Sequence, residues 1–172
     1  MLKFNRELEH IRQEKLDVED SLSRITKTVQ SLNIRLQEIR SGGDLKKLKG
    51  SLPWPATGRL VRRYAPSANP PVRGFGIALK DRANVRSVAA GKVVYNDMLR
   101  GLGQVVILMH GKEYYTVYAH LADILVNMGQ EVPQGHLLGH AGFYPPANGP
   151  GLYFELRFHQ KAINPDGWLS KQ

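Results

Sequence analysis

The side chains best placed to do chemistry together sit in one short stretch: Gly149-Pro150-Gly151-Leu152-Tyr153-Phe154-Glu155-Leu156-Arg157. From Leu152 onward it alternates. Leu152, Phe154 and Leu156 point one way, and Tyr153, Glu155 and Arg157 the other, as a half-buried strand requires. One face therefore packs into a core, and the other presents a phenol, a carboxylate and a guanidinium in a row. Tyrosine and arginine are the residues that most often anchor protein interfaces. The other candidates are histidines: His110, His120, His136, His140 and His159. His136 and His140 are four apart, which shares a face on a helix or on a strand. For all of them but His120, a solvated or capping role is the simpler expectation. There is no cysteine, which excludes disulfides and thiolate metal sites.

Two kinds of element must position these residues. From Phe4 to Ile39 the apolar positions Phe4, Leu8, Ile11, Val18, Leu22, Ile25, Val29, Leu32, Leu36 and Ile39 recur at spacings of four and three, with Lys15 alone breaking the series. Such a run, free of Pro and Gly, predicts a coiled-coil helix about 55 Å long. A partner helix, from a second copy, an upstream part of the same chain or another protein, is then expected along residues 4–39. A long amphipathic helix lying on its own domain is the lesser alternative, because a compact domain offers few surfaces of that length. Ser41-Gly42-Gly43 ends the helix, and Asp44 to Lys49 suits a short basic turn. After Leu52-Pro53-Trp54-Pro55 the chain reads as short strands between Gly- and Pro-rich turns: 58–64, 74–79, 85–89, 91–96, 104–110, 114–120, 131–132, 136–141 and 152–158. The expected organisation is a coiled-coil helix over 1–41, a linker over 42–51, and an all-β sandwich or barrel-like domain over 52–172.

The formal net charge is +9, and residues 51–172 carry +6 of it. A basic surface suits nucleic acid, anionic lipid or an acidic cell wall. No basic run is interleaved with aromatics, which argues against nucleic acid. No run of eighteen apolar residues is present to span a membrane. Met1 to His10 is charged and periodic, unlike a signal peptide, and a start inside a heptad pattern favours a chain that begins partway along a longer one.

Several blocks, in order, carry a resemblance. They are Val85-Arg86-Ser87-Val88-Ala89-Ala90-Gly91-Lys92-Val93-Val94, Gly101-Leu102-Gly103-Gln104-Val105-Val106-Ile107, Val117-Tyr118-Ala119-His120-Leu121, Gly129-Gln130-Glu131-Val132-Pro133-Gln134-Gly135, and Asn164-Pro165 followed by Trp168-Leu169. With the Leu-Tyr-Phe-Glu strand they resemble the LytM/lysostaphin-type zinc peptidases over roughly residues 52–169. The resemblance implies a duplicated-hybrid-motif-like β fold. In that family a His and an Asp four residues apart, and the second His of a His-Leu-His strand, hold zinc. Here those positions are Val72, Gly76 and Tyr153, and an auxiliary His is Gly151. Only the other auxiliary His survives, as His120. Val and Gly offer no donor, and catalytic zinc needs about three protein ligands. The resemblance therefore implies no metal cofactor and no hydrolysis by the family route.

The family includes metal-free relatives of the EnvC/NlpD type, murein hydrolase activators with an accessory segment before a degenerate LytM domain. By that resemblance the chain is expected to activate zinc-dependent cell-wall amidases during cell division in the periplasm, with an FtsEX-type membrane complex as regulator. Strand parity and the family register place Arg73, Tyr118, His120, Tyr153, Glu155 and Arg157 along a docking groove. Phe143 and Tyr144 are expected on a loop forming one groove wall, and Phe75 in the core. Each residue has a plainer reading: Tyr153 as a space filler, Arg157 as a solvated strand residue, His120 as a relic bonded to Tyr118 or to backbone, and Glu155 as a partner of Arg73 or Arg157. The rival functions are a peptidoglycan-binding module and, less favoured, a zinc endopeptidase with substitute ligands.

Overall fold

The computed structural model describes residues 1–36 and 45–171. Helix α1 spans Leu2–Leu36, uninterrupted because no Pro or Gly falls within it. The Ile39 position and the Ser41-Gly42-Gly43 stop lie outside the described residues. A single 3₁₀ turn at Leu45–Leu48 buries Leu45 in the core of the β region. Ten strands follow: β1 (Arg59–Arg62), β2 (Phe75–Ala78), β3 (Asn84–Arg86), β4 (Gly91–Leu99), β5 (Gly103–Met109), β6 (Tyr114–Ile124), β7 (Glu131–Val132), β8 (Leu137–Tyr144), β9 (Gly149–Phe158) and β10 (Lys161–Ile163). They join antiparallel in the order β1-β2-β9-β8-β6-β5-β4-β7, with β10 on β9 and β3 on β8. Among the described residues no helix is long and apolar enough to cross a membrane.

The sheet is covered on both faces. On one side Leu152, Phe154, Leu156, Tyr118, Val106 and Leu108 form the main core. Trp54 helps close it: the ring stacks on Phe75 at 5.7 Å and its indole N–H donates to the Ser170 carbonyl. On the other side Val105, Ile107, Met109, Tyr115, Val117 and Ala119 meet Ile25 and Val29 of α1. Strand β5 is therefore buried on both faces, which is why it reads as a near-continuous apolar run rather than an alternation.

The heptad seam splits into two halves with different fates. Leu22, Ile25 and Val29 dock on the sheet, held at one end by the Asp17–Arg100 ion pair at 3.0 Å and at the other by Gln30 donating to Gln160 at 2.6 Å. Phe4, Leu8, Ile11 and Val18 remain exposed, at 65%, 38%, 60% and 38%. The arrangement given less weight from the heptads, a helix on its own domain, thus holds for the C-terminal half. The objection from length is met because only about four turns touch the sheet, a span this domain can offer.

Candidate functional site

Strand β9 builds the centre of the site. Its Tyr153, Glu155 and Arg157 lie across from Ala119, Val117 and Tyr115 of β6, and Gly76 of β2 flanks Tyr153 on the other side. The row forms a closed hydrogen-bonded chain. The Tyr153 hydroxyl donates to Glu155 Oε1 at 2.5 Å, and Arg157 Nη1 donates to Glu155 Oε2 at 2.7 Å. Arg157 Nη2 donates to the Gln160 carbonyl at 2.8 Å, while its Nε–H has no acceptor among the described residues. Glu155 is 1% exposed and Arg157 5%. Burial, and next the Glu155 charge, push the Tyr153 phenol far above its ordinary range, so it stays a neutral donor. Of the two partners open to Glu155, Arg157 takes it and Arg73 does not.

The cover over this row is α1 itself. Tyr153 packs against the cluster that contains Ile25 and Val29. The strip is therefore a sheet face already occupied by a helix from the same chain.

His120 is brought to the same face by a bulge. Gln104 of β5 pairs with Leu121 and Val106 with Tyr118, so both Ala119 and His120 oppose Val105. His120 adopts φ 64°, and its ring lies 5.0 Å from that of Tyr144. Burial lowers its pKa to about 4, opposed by a hydrogen bond to the Phe143 backbone. Of its two relic readings, the backbone bond is the one present.

That bulge also corrects one expectation. Tyr118 does not line the strip: it is fully buried in the opposite core, tilted against Phe154 at 5.4 Å. Simple i, i+2 parity put Tyr118 beside His120, and the extra residue breaks that parity. The Tyr118 hydroxyl accepts from the Val88 N–H at 3.1 Å and bonds Thr116 Oγ1 at 3.0 Å. Thr116 in turn meets His110 Nε2 at 2.7 Å, and His110 Nδ1–H donates to the Ala90 carbonyl at 2.7 Å. His110 is thus neither solvated nor a cap but a link in a buried polar chain, its pKa pushed down to about 4 by burial. The remaining histidines are surface residues: His140 Nδ1 bonds Asp123 at 2.9 Å, His159 meets Glu113, and His136 is part-exposed.

Tyr144 carries a role that the sequence did not reveal. It ends β8 rather than sitting on a loop, and it is 4% exposed. A Cβ placed on Gly76 would lie 2.3 Å from its hydroxyl, and a Cβ on Gly151 would lie 2.8 Å from its own Cβ. Tyr144 thus fills the space beside two positions where the zinc peptidases carry a ligand and an auxiliary histidine. Only the pairing of large Tyr144 with two glycines hinted at this. Phe143, by contrast, is 66% exposed. Arg73, on the loop before β2, is exposed at the edge of the covered strip.

These residues do not fit a zinc ion. Val72 and Gly76 bring no donor atom, the Tyr153 phenol is committed to Glu155, and Tyr144 takes the volume. Among the described residues no three His, Asp or Glu side chains converge.

A β sheet of this order with this strand at its centre defines a class. The chain belongs to peptidase family M23, whose profile matches residues 70–165. Among its relatives, the murein hydrolase activator EnvC of Escherichia coli (strain K12) is 33% identical over 134 residues, covering 77% of this chain and 32% of that protein. The murein hydrolase activator NlpD of the same strain is 31% identical over 120 residues, 69% of this chain and 31% of that protein. In solved structures, a putative M23 peptidase from Pseudomonas aeruginosa superposes with a TM-score of 0.67 at 26% identity, over 90% of this chain and 62% of that one. The chain spans about a third of the length of these two curated relatives.

Proposed function

We propose that this chain is a non-catalytic activator of zinc-dependent cell-wall amidases, working in peptidoglycan splitting at cell division on the extracytoplasmic side. The observation that carries the reading is the Tyr153–Glu155–Arg157 row: a former ligand strand now committed to its own hydrogen bonds and facing a helix. A sheet face that accepts the apolar edge of α1 is shaped to accept the apolar edge of another helix. The amidase supplies that helix, and α1 must leave first. Activation is then an exchange of helices over one face, with Arg73, His120, Tyr153, Glu155 and Arg157 meeting the incoming segment. Residues 1–41 act as cover and pairing segment, 42–51 as the linker, and 52–172 as the amidase-binding domain. The exposed apolar edge at Phe4, Leu8 and Ile11 is left for a further helix, a second copy or a regulator of the FtsEX type. The 31–33% identity to named murein hydrolase activators supports the assignment.

The test is dye release from labelled peptidoglycan by candidate amidases, with this protein added or omitted. Stimulation by the parent chain or by an α1-loosened variant is expected, and Arg73→Ala or Tyr153→Ala should abolish it. Lysis by this chain alone, or stimulation unchanged in both variants, sinks the proposal.

A further inference from the structure

Beside the covered row, α1 and the proline-rich loop before β2 face each other across a cleft of about 1080 Å³. Lys15 stands on the helical wall, and Tyr64, Pro70, Arg73, Arg157 and Lys161 on the other. Lys15, Arg73 and Lys161 have no acceptor among the described residues. The acids along the cleft are Glu14, which pairs with His10, and Glu19. Arg157 reaches the same cleft at 5% exposure, but its charge is already met by Glu155 at 2.7 Å, and its unpartnered Nε–H is buried away from the cleft. That leaves three cations, Lys15, Arg73 and Lys161, against the two acids Glu14 and Glu19, so the cleft stays net positive and suits an anion.

The walls narrow the choice of anion. Most of the surface between the cations is apolar, supplied by prolines, Tyr64 and the aliphatic edge of α1. A free inorganic ion would leave that surface wet and unused. A ligand with an apolar body and a planar, two-oxygen end uses both parts, since a carboxylate matches the guanidinium fork and apolar walls hold the remainder. We infer that the cleft between α1 and the loop before β2 binds the carboxylate end of a short peptide. Because the helix supplies one wall, the peptide fits only while α1 is docked. By linkage it holds the helix down. The site therefore reports free peptide ends to the cover, and it does so whether or not an amidase is the partner of the face beneath.

The experiment is calorimetric titration of the full chain with acetyl-Ala-Ala in its L and D forms, each with a free carboxylate or a C-terminal amide, and with inorganic phosphate. The free-carboxylate peptides should bind, with the amides about tenfold weaker or worse. Arg73→Ala and Lys161→Ala should each weaken binding by about tenfold. Lys15→Ala should weaken it several-fold, which ties the ligand to the helix. All three are exposed side chains, so thermal melts should match the parent chain. Equal binding of acid and amide, binding unchanged in all three variants, or phosphate binding as tightly as the peptides would each overturn the assignment. None of these results touches the amidase reading, whose test uses a different partner and readout.

Discussion

Ile25 is the most informative side chain to remove. It is 2% exposed at the centre of the contact between α1 and the sheet, with Val29, at 0%, one turn further on. Ile25→Ala deletes three buried carbons at a site flanked by a rigid sheet that cannot collapse inward. Such truncations cost about 3 kcal/mol. If α1 is a separable cover, that loss falls on docking alone and shifts the docked-to-undocked ratio about 150-fold. Hydrogen exchange followed by mass spectrometry reads this directly. Peptides across residues 17–30 should lose protection, because a helix off its surface is only marginally held. Peptides in β5, β6 and β9 should keep theirs. Amidase stimulation should rise in parallel. Leu8→Ala, on the projecting half, should change neither. Equal loss of protection in helix and strands would refute the reasoning, since it would make α1 a part of one cooperative core.

Tyr118→Phe removes a hydroxyl that serves Val88 and Thr116, and should cost about 1–2 kcal/mol in urea unfolding while leaving amidase stimulation intact, in contrast to Tyr153→Ala. His110 gives a pH dependence: burial lowers its pKa from the ordinary histidine value near 6.5 to about 4, so the unfolded chain binds the proton more readily. Stability is full above about pH 6.5 and falls as pH drops toward 4, by up to about 3 kcal/mol from His110; urea midpoints at pH 7.5 and 5 should show it, His110→Gln should reduce it and leave the part that His120 contributes in the same direction, and a flat parent profile would refute it. Gly76→Ala forces a Cβ to within 2.3 Å of the Tyr144 hydroxyl and should cost about 2 kcal/mol or more. In a double-mutant cycle with Tyr144→Ala the two effects should be strongly non-additive, and simple additivity would deny the contact.

Much of the β region was legible because its strands obey simple periods. Leu152 to Arg157 alternates, and the structure puts Leu152, Phe154 and Leu156 in one core and Tyr153, Glu155 and Arg157 on the other face. Nine of the ten strands lie where apolar runs and turns placed them, with ends displaced by a few residues. β10 was missed because three residues, Lys161-Ala162-Ile163, are too few to show a period. Face assignment failed at Tyr118 because a bulge is a backbone event, and an inserted residue leaves no mark in an i, i+2 count. The helix was legible and its docking was not. The same seam suits a partner helix or a sheet, and only the geometry of β5, β6 and β9 decides between them. Arg157 was open to reading as a solvated strand residue, yet it is buried, because the cover over it comes from more than a hundred residues away in the chain. Tyr144 escaped notice since its importance lies in the absence of side chains at Gly76 and Gly151.

The fit of Tyr144 against those two glycines has a consequence for redesign. A side chain at Gly76 meets the Tyr144 hydroxyl at 2.3 Å, and one at Gly151 meets the Tyr144 Cβ at 2.8 Å. A coordinating residue therefore cannot be introduced at either glycine by one substitution. The aromatic ring has to be cut back first, and that opens a void in a well-packed part of the sheet, so building a metal centre here takes several coordinated changes.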